Sequence, residues 1–281
     1  MDKKRHASAW LPHRLPALGR RTLIMGVLNV TPDSFSDGGL YLDSNAAIER
    51  ALQLERDGAD IVDVGGESTR PGHTPVDAAE EQRRALPVIR ALAQQLTVPV
   101  SIDTYKASTA RLALEAGARI VNDVWGLQRD GEMAPVVAEH EAIVIVMHNR
   151  TAADATIDIV DDMRRFFERS VALARLAGIR DDHIVLDPGI GFGKTAEQNL
   201  EALRRLREIK SLGYPVLVGA SRKSVLGRFY PPNVPANERL FGTVAAHVMA
   251  VHNGADIVRV HDVRPHVEAC RVADALARDG T

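Results

Sequence analysis

The same short sequence occurs near both ends of the chain, as Asp57-Gly58-Ala59-Asp60-Ile61-Val62 and as Asn253-Gly254-Ala255-Asp256-Ile257-Val258. A third version, Glu115-Ala116-Gly117-Ala118-Arg119-Ile120-Val121, lies between them. In each version a glycine is followed shortly by a run of apolar, β-branched residues. Glycine commonly ends a helix in the left-handed conformation. The pattern therefore predicts helices that end at a glycine and lead directly into buried strands, and Gly178 and Gly213 are placed in the same way.

Short apolar runs recur along the whole chain. They are continuous rather than alternating, which is typical of strands buried on both faces of a parallel sheet. We predict strands over residues 23–28, 61–64, 98–102, 119–124, 143–147, 183–186, 215–218 and 257–260. Amphipathic stretches between them predict helices over residues 44–56, 76–96, 107–116, 133–139, 159–177, 197–212, 237–251 and 264–277.

The spacing of these strand–helix units indicates a single closed barrel. The predicted strands begin about 33 residues apart on average, and a (β/α)8 TIM barrel of ~250 residues requires about 31 per unit. A doubly wound sheet is the alternative, but eight units without a break favour the barrel. We therefore predict one TIM-barrel domain over residues 21–281, preceded by a flexible lead-in over residues 1–20.

Composition excludes several classes of protein. Hydrophobic residues make up 45% of the chain and the formal net charge is −2, which predicts a globular protein with no general attraction to nucleic acid or anionic membranes. The single cysteine, Cys270, rules out an internal disulfide and indicates a reducing compartment. Neither a membrane span nor a signal-peptide core is visible in the sequence. We expect a cytoplasmic protein that binds neither nucleic acid nor membrane.

Each predicted strand ends in polar or ionisable residues. In a TIM barrel the active site forms at these carboxyl ends. The residues are Asn29, Asp63, Asp103, Asn122, Asp123, His148, Asp187, Ser221, Arg222, Lys223, Arg259, His261 and Asp262, with the polar segments 31–39 and 65–72. One such residue is an ordinary feature of a helix cap, but eight polar strand ends around one ring indicate a binding site.

The residue types at these ends suggest what the site binds. Arg70, Arg222, Lys223, Arg259 and His261 are positive or donor groups, which suggest a phosphate-like anion. The acceptors among the strand ends, which are Asp103, Asn122 and Asp187, suit the N–H donors of a heterocycle. Few ligands for a hard cation occur beyond Asn29 and nearby carboxylates, which fits Mg²⁺ because that ion keeps much of its shell for water and substrate phosphate.

A glycine-rich segment, Gly189-Ile190-Gly191-Phe192-Gly193-Lys194, looks at first like a nucleotide-binding loop. The P-loop motif requires glycine five residues before its second glycine, and Pro188 stands there. The dinucleotide pattern also fails, because Lys194 occupies its third glycine position. Neither nucleotide reading is therefore retained.

Two long segments resemble the signatures of the dihydropteroate synthase family. They are Met25-Gly26-Val27-Leu28-Asn29-Val30-Thr31-Pro32-Asp33-Ser34-Phe35-Ser36-Asp37-Gly38-Gly39 and Asp63-Val64-Gly65-Gly66-Glu67-Ser68-Thr69-Arg70-Pro71-Gly72. Segments 101–104, 120–123, 187–194, 219–224 and 259–262 follow in the order of the family. The resemblance extends from about residue 23 to the C-terminus. It implies a homodimeric TIM-barrel transferase of folate biosynthesis that joins 6-hydroxymethyl-7,8-dihydropterin diphosphate to 4-aminobenzoate, releasing diphosphate and forming 7,8-dihydropteroate.

The resemblance also implies a role for individual residues. Pterin binding falls to Asp103, Asn122, Asp187 and Lys223; diphosphate binding to Thr69, Arg259 and His261; aminobenzoate binding to Pro71, Phe192, Ser221 and Arg222; and the magnesium ligand is Asn29. Asp33 and Arg70 are expected to join two covering loops, 31–39 and 68–72. With Asp103 and Lys223 they form the expected catalytic set.

Less specific interpretations remain open. Asp103 and Asp187 are also suited to cap helices, Asn122 to bridge structural elements, Lys223 to lie in solvent and His261 to make an ordinary hydrogen bond. His148 is interpreted as a structural residue, with a role at the site edge as the alternative, and His247 and His252 are interpreted as structural. A catalytically silent pterin-binding paralogue and a methyltetrahydrofolate-dependent methyltransferase are the alternative functions. The anion-binding and Ser-Arg-Lys residues argue against both.

Overall fold

The computed structural model describes residue 15 and residues 17–31, 39–67 and 75–278. Eight parallel strands form one sheet in the order β6-β5-β4-β3-β2-β1-β8-β7. β6 and β7 meet only at an isolated bridge between Leu186 and Val216, which brings the ends of the sheet together. The predicted (β/α)8 barrel is therefore confirmed.

The eight strands are short and lie close to the predicted positions. They are β1 Leu23–Asn29, β2 Ile61–Gly65, β3 Val100–Asp103, β4 Ile120–Asp123, β5 Ile143–Met147, β6 Ile184–Asp187, β7 Leu217–Val218 and β8 Ile257–Val260. β7 has only two residues, fewer than the sequence predicts.

The helices surround the sheet. They are α1 Gly39–Arg56, α2 Ala78–Gln95, α3 Ala107–Glu115, α4 Met133–Glu139, α5 Ile159–Leu176, α6 Ala196–Arg204, α7 Leu206–Lys210, α8 Ser224–Gly227, α9 Leu240–His252 and α10 Val263–Ala277. Three differences from the prediction stand out. The helix expected over 197–212 is divided at Arg205, whose φ and ψ are −98° and 20°. The first helix begins earlier, at Gly39, and the short α8 was not predicted.

Glycines end the helices as the repeated sequence predicts. Gly58, Gly117, Gly178, Gly213 and Gly254 all have φ between 90° and 116°. At Gly117 the requirement is also steric, because an added Cβ would lie 2.4 Å from the Cβ of Ala93. The glycine both reverses the chain and lets it pass close to α2.

The barrel interior is apolar at its amino end and polar at its carboxyl end. Residues two apart on a strand share a face, so Ile61 and Asp63, Ile120 and Asn122, or Ile257 and Arg259 lie in successive layers. The amino-end layers form a buried cluster of Leu23, Met25, Ile61, Ile120, Ile143, Ile145, Val185, Leu217 and Ile257. The next layer contains the charged and amide groups, so the hydrophobic floor fixes the strands that carry the site.

Part of the predicted lead-in packs into this floor. Leu15 and Leu18 are buried and belong to the same cluster as Met25 and Ile61. Leu18 is also joined to Arg21 by an isolated bridge. Leu15 and Leu18 of the expected lead-in therefore help to close the amino end of the barrel with apolar side chains. No described helix has the length and apolar character needed to cross a membrane.

Candidate active site

Six polar side chains form a ring inside the carboxyl end of the barrel. They come from the neighbouring strands β2, β3 and β4 and from β6 and β8, and are Asp63, Ser101, Asp103, Asn122, Asp187 and Arg259. All but Arg259 are at most 4% exposed, and the side chain of Arg259 is 18% exposed. A buried ring of this kind must satisfy its own hydrogen bonds or bind a ligand that does so.

Arg259 connects two carboxylates across the ring. Its Nε donates to Oδ2 of Asp63 and its Nη2 donates to Oδ2 of Asp103, each at 2.7 Å. Burial by itself lowers the pKa of Arg259, but Asp63 and Asp103 raise it above its ordinary value. The guanidinium therefore stays charged and joins β8 to β2 and β3. This differs from a role in diphosphate binding alone, because two of its three nitrogens are already committed to carboxylates.

Asp63 also orients Asn122. The Asn122 Nδ2 donates to the Asp63 Oδ2 at 3.2 Å, which fixes the two ends of the amide. Asp63 is fully buried and was noted in the sequence only as a strand end. Its position inside β2, facing Arg259, could not be read from the sequence because the partner is distant along the chain.

Four buried oxygens of the ring have no hydrogen-bond partner among the described residues, and they are Oδ1 of Asp63, Oγ of Ser101, Oδ1 of Asp103 and Oδ1 of Asn122. Asp103 and Asn122 are paired in register on β3 and β4. Because buried acceptors without donors are costly, the pair is suited to a ligand that presents adjacent N–H groups.

Asp187 lies at the end of β6 and is also buried. Burial raises its pKa to about 6, while the Gly189 N–H, donated to its Oδ1, opposes the rise. That bond is 2.7 Å long and ties the carboxylate to the following loop. Asp187 therefore accepts from a loop N–H and does not cap the following helix, which Thr195 caps. Lys223 is also close enough to affect the pKa of Asp187. The Asp187 side chain thus belongs to the ring and also binds the first turn of the loop that follows β6.

Lys223 and Phe192 form one wall of the ring. The Lys223 Nζ lies 4.2 Å from the centroid of the Phe192 ring, a distance suited to a cation–π interaction. Lys223 also acts on the pKa of Asp103. Lys223 stands at the start of α8 and is partly buried, with its ammonium over the Phe192 ring.

The ends of β7 and β8 are joined by side chains of the predicted set. The Ser221 Oγ lies 2.9 Å from the His261 Nδ1 and accepts the His261 backbone N–H. Arg222 donates through Nε and Nη2 to the two oxygens of Asp262, at 3.1 and 2.7 Å. These paired contacts hold the residues expected at the aminobenzoate and diphosphate positions next to each other.

Helix α9 supports this loop through two side chains that the sequence did not identify as functional. The His247 Nε2 accepts the Ala220 N–H at 3.0 Å, and the Thr243 Oγ1 accepts the Arg222 N–H at 3.2 Å. Arg222 has a φ of 60°, which a non-glycine residue adopts only when its surroundings hold it. Burial lowers the pKa of His247, so its ring is neutral and able to accept. His247 is structural, as expected, and it acts directly on the loop of the site.

His148 has a structural environment. Its side chain is fully buried, its Nε2 lies 3.1 Å from Oδ2 of Asp162, and its ring meets Phe166 edge-on at 5.0 Å. Burial lowers the pKa of His148 to about 3. The neighbouring segment is held by Arg150, which also pairs with Asp162.

Asn29 lies beside the ring at the end of β1. A Cβ added to Gly65 would lie 3.7 Å from Oδ1 of Asn29 and 3.8 Å from Oδ2 of Asp103. A side chain at Gly65 would therefore contact both Asn29 and Asp103. No group of three or more His, Cys, Asp or Glu residues with metal-binding geometry occurs in the described part of the chain.

The structure brings together most of the predicted site. Asp103, Asn122, Asp187 and Arg259 share one ring, and Lys223, Phe192, Ser221, Arg222, His261 and Asn29 lie on adjoining strand ends and loops. Asp33, Thr69, Arg70 and Pro71, and most of the loops that carry them, lie outside the described residues.

Comparison with known proteins gives consistent results. Residues 25–261 match the family of pterin binding enzymes. A dihydropteroate synthase of Clostridium beijerinckii is 47% identical over 262 residues, covering 93% of this chain and 96% of the relative. The dihydropteroate synthase of a Synechocystis strain is 48% identical over 290 residues, covering 99% and 100%.

Solved structures agree with the sequence relatives. A dihydropteroate synthase from Clostridium difficile, crystallised in the presence of pteroic acid, superposes with a TM-score of 0.91 at 52% identity, covering 93% of this chain and 99% of that chain. The Xanthomonas albilineans enzyme in complex with 7,8-dihydropteroate superposes with a TM-score of 0.84 at 38% identity, covering 92% and 95%.

The burial of Asp187 generates a prediction about stability. Burial raises the pKa of Asp187 from its ordinary value of 3.8 to about 6, so at pH 8 folding buries a charge, whereas at pH 3 the side chain is protonated in both the folded and the unfolded chain. We expect Asp187→Asn to raise the free energy of unfolding at pH 8 by roughly 1–3 kcal/mol, with the gain disappearing toward pH 3. Urea unfolding at both pH values measures this. A variant less stable than the parent at pH 8 contradicts it.

Proposed function

Because the chain belongs to the dihydropteroate synthases of the pterin binding enzyme family, we propose that it joins 6-hydroxymethyl-7,8-dihydropterin diphosphate to 4-aminobenzoate, forming 7,8-dihydropteroate. The observation that carries the proposal is the pair of unpartnered acceptors at Asp103 and Asn122, beside the charged Arg259. A bicyclic pterin has adjacent N–H donors that match them. One relative was crystallised in the presence of pteroic acid and another in complex with 7,8-dihydropteroate, which supports the same ligand class.

The ring recognises the pterin through complementary hydrogen bonds. Asp103, Asn122 and Asp187 accept from the N–H groups of the heterocycle, while Lys223 donates to its carbonyl. Phe192, against Lys223, provides an apolar surface for the ring. The fully buried Asp63 holds the Asn122 amide in the accepting orientation.

The reaction breaks the C–O bond to diphosphate and forms a C–N bond to the arylamine, which releases a proton. As diphosphate leaves, positive charge develops on the pterin methylene and spreads into the ring. Asp103 and Asp187 then bind the ring N–H groups more strongly than they do in the ground state, which lowers the barrier. No nucleophile of the protein is needed.

Arg259 and His261 stabilise the departing anion. The Arg259 Nε and Nη2 are held by carboxylates, which leaves its remaining nitrogen for a diphosphate oxygen. His261 stands beside Ser221, and Thr69 is the third proposed contact. We assign Asp33 and Arg70 to the closing of the two loops, which excludes water from the cation.

Ser221 and Arg222 border the aminobenzoate, with Phe192 and Pro71. The Arg222 guanidinium is held by Asp262, so its backbone and stem rather than a mobile charge define the position of the ring. The amine then approaches the methylene from the side of the β7 loop.

Asn29 is the proposed protein ligand of Mg²⁺. Its amide oxygen is a hard donor of the kind that this ion prefers. Mg²⁺ held by Asn29 would supply positive charge to the leaving diphosphate.

We also propose that the chain is a cytoplasmic homodimer formed through α9 and α10. These helices pack against each other and expose Phe241 (84%), Met249 (55%), Val272 (61%) and Leu276 (83%). Exposed apolar side chains in such numbers on two adjacent helices are typical of an interface. A second copy is the occupant that the resemblance implies.

The activity is tested by mixing the purified chain with both substrates and Mg²⁺ and following diphosphate release. We expect turnover, and we expect Asp103→Asn to lower kcat/KM by about 100-fold or more because an accepting carboxylate becomes neutral. Absence of diphosphate release from the parent chain across pH 6–9 would exclude the proposal.

The role of Asp63 generates a second test. Asp63→Asn leaves Arg259 with one carboxylate and frees the Asn122 amide, so we expect KM for the pterin diphosphate to rise about tenfold and KM for aminobenzoate to change little. Asp256→Asn is the matched control, because Asp256 is also buried and paired, with Lys210, near the start of β8. Equal changes in both KM values, or in both variants, contradict the assignment.

The dimer is tested by sedimentation velocity. Phe241→Glu places a charge in the proposed interface, so we expect it to yield monomers at micromolar concentration, whereas the parent sediments as a dimer. Leu176→Glu serves as the control, because Leu176 is 87% exposed but lies at the end of α5. A monomeric parent, or a dimeric Phe241→Glu variant, rules out this interface.

A further inference from the structure

Lys194 is a buried cation that forms no ion pair with any carboxylate in the described part of the chain. Its residue exposure is 9%. The Nζ donates to three backbone oxygens, those of Gly189 at 2.9 Å, Phe192 at 3.0 Å and His148 at 3.3 Å. An ammonium has three protons, so the three carbonyl groups use all of them.

Burying this charge has an energetic cost. Burial lowers the pKa of Lys194 to about 7, while Asp187 and Asp162 oppose the shift. Carbonyl dipoles replace the lost hydration only because all three converge on Nζ. An apolar side chain would leave these buried oxygens without a donor. The buried ammonium is therefore tolerated only while the three carbonyl groups keep their present positions.

The three oxygens belong to two segments that must be held together. His148 follows β5, and its backbone N–H donates to the backbone oxygen of Asp187 at 2.9 Å. Gly189 and Phe192 lie in the loop between β6 and α6. The segments approach so closely that a Cβ at Gly189, where φ is 66°, would lie 2.0 Å from the His148 oxygen. Lys194 thus fastens the loop after β6 to the end of β5.

The same loop carries groups of the active site. Gly189 donates its N–H to Asp187, and the Phe192 ring lies 4.2 Å from the Lys223 Nζ. A Cβ at Gly191 would lie 3.1 Å from Cδ of Lys223, so the backbone there also contacts the lysine stem. A displacement of the loop would therefore move the wall formed by Phe192 and Lys223.

We propose that Lys194 is a positioning residue for the condensation: its ammonium holds the loop 188–193 so that Phe192 and Lys223 face the pterin ring. It acts through these two residues and does not itself contact substrate. The inference rests on the proposed function, since it assigns Lys194 to the same site.

The first test compares two lysine substitutions. Lys194→Met removes the three hydrogen bonds, and Lys210→Met is the matched control because the Lys210 Nζ bonds Asp256 and the Tyr214 carbonyl near the amino end of the barrel. We expect both variants to lose thermal stability. Only Lys194→Met should raise KM for the pterin diphosphate, by about tenfold, with a smaller fall in kcat. An unchanged KM in an otherwise active enzyme overturns the proposal, whereas an inactive parent chain refutes the proposed function instead.

The second test is chemical rescue of Lys194→Ala, which also serves if the methionine variant does not fold. The vacated position between three carbonyl oxygens suits a small cation. We expect ammonium or methylammonium chloride to bring KM for the pterin diphosphate most of the way back to the parent value. Tetramethylammonium chloride, which cannot donate a hydrogen bond, should leave KM raised. Equal recovery with all three salts contradicts the role of Lys194.

A crystal structure of a Lys194 variant provides a readout that is independent of activity. We expect the Phe192 ring to move away from Lys223 while the strands keep their positions. A ring that stays at the parent distance from the lysine overturns the proposal, whatever the kinetics show.

Discussion

The site depends on one guanidinium that is shared between two carboxylates. Arg259 reaches across the barrel from β8 and donates to Asp63 on β2 and Asp103 on β3. Without it, two buried acids would face each other in a region of low polarity, where like charges are strongly unfavourable. With it, Asp103 keeps one oxygen bound and one available, and Asp63 can orient Asn122. The chemistry proposed for the ring therefore follows from a structural ion pair.

The barrel supports this costly arrangement by separating its layers. Apolar side chains such as Met25, Ile61 and Ile257 fill the amino end, and polar groups occupy only the last inward positions. Because residues alternate along each strand, the same strand that contributes to the floor also aims a functional side chain. The loop that contains Lys194 is built in a similar way. The buried ammonium binds three backbone oxygens, and this backbone fixes the position of Phe192.

Local sequence patterns predicted much of the architecture. Continuous apolar runs and helix-ending glycines located all eight strands, because both signals act over a few residues. The division of a helix at Arg205 and the burial of Leu15 were missed, since each depends on packing against distant elements. Polar strand ends identified most of the ring. Asp63, Thr243 and Lys194 were not assigned, because their roles consist of hydrogen bonds to partners that only folding brings near.

The barrel wall is uneven, and the unevenness has a mechanical consequence. Six junctions between strands are ladders of three to five residue pairs and the β7–β8 junction has two, whereas β6 and β7 share the single bridge between Leu186 and Val216. A closed cylinder under stress deforms where the fewest bonds join its parts. Local opening of a folded protein likewise begins where the fewest hydrogen bonds and contacts must break. This seam runs between Asp187 and Ser221, so elastic compliance is concentrated where the two substrates of the proposed reaction would meet.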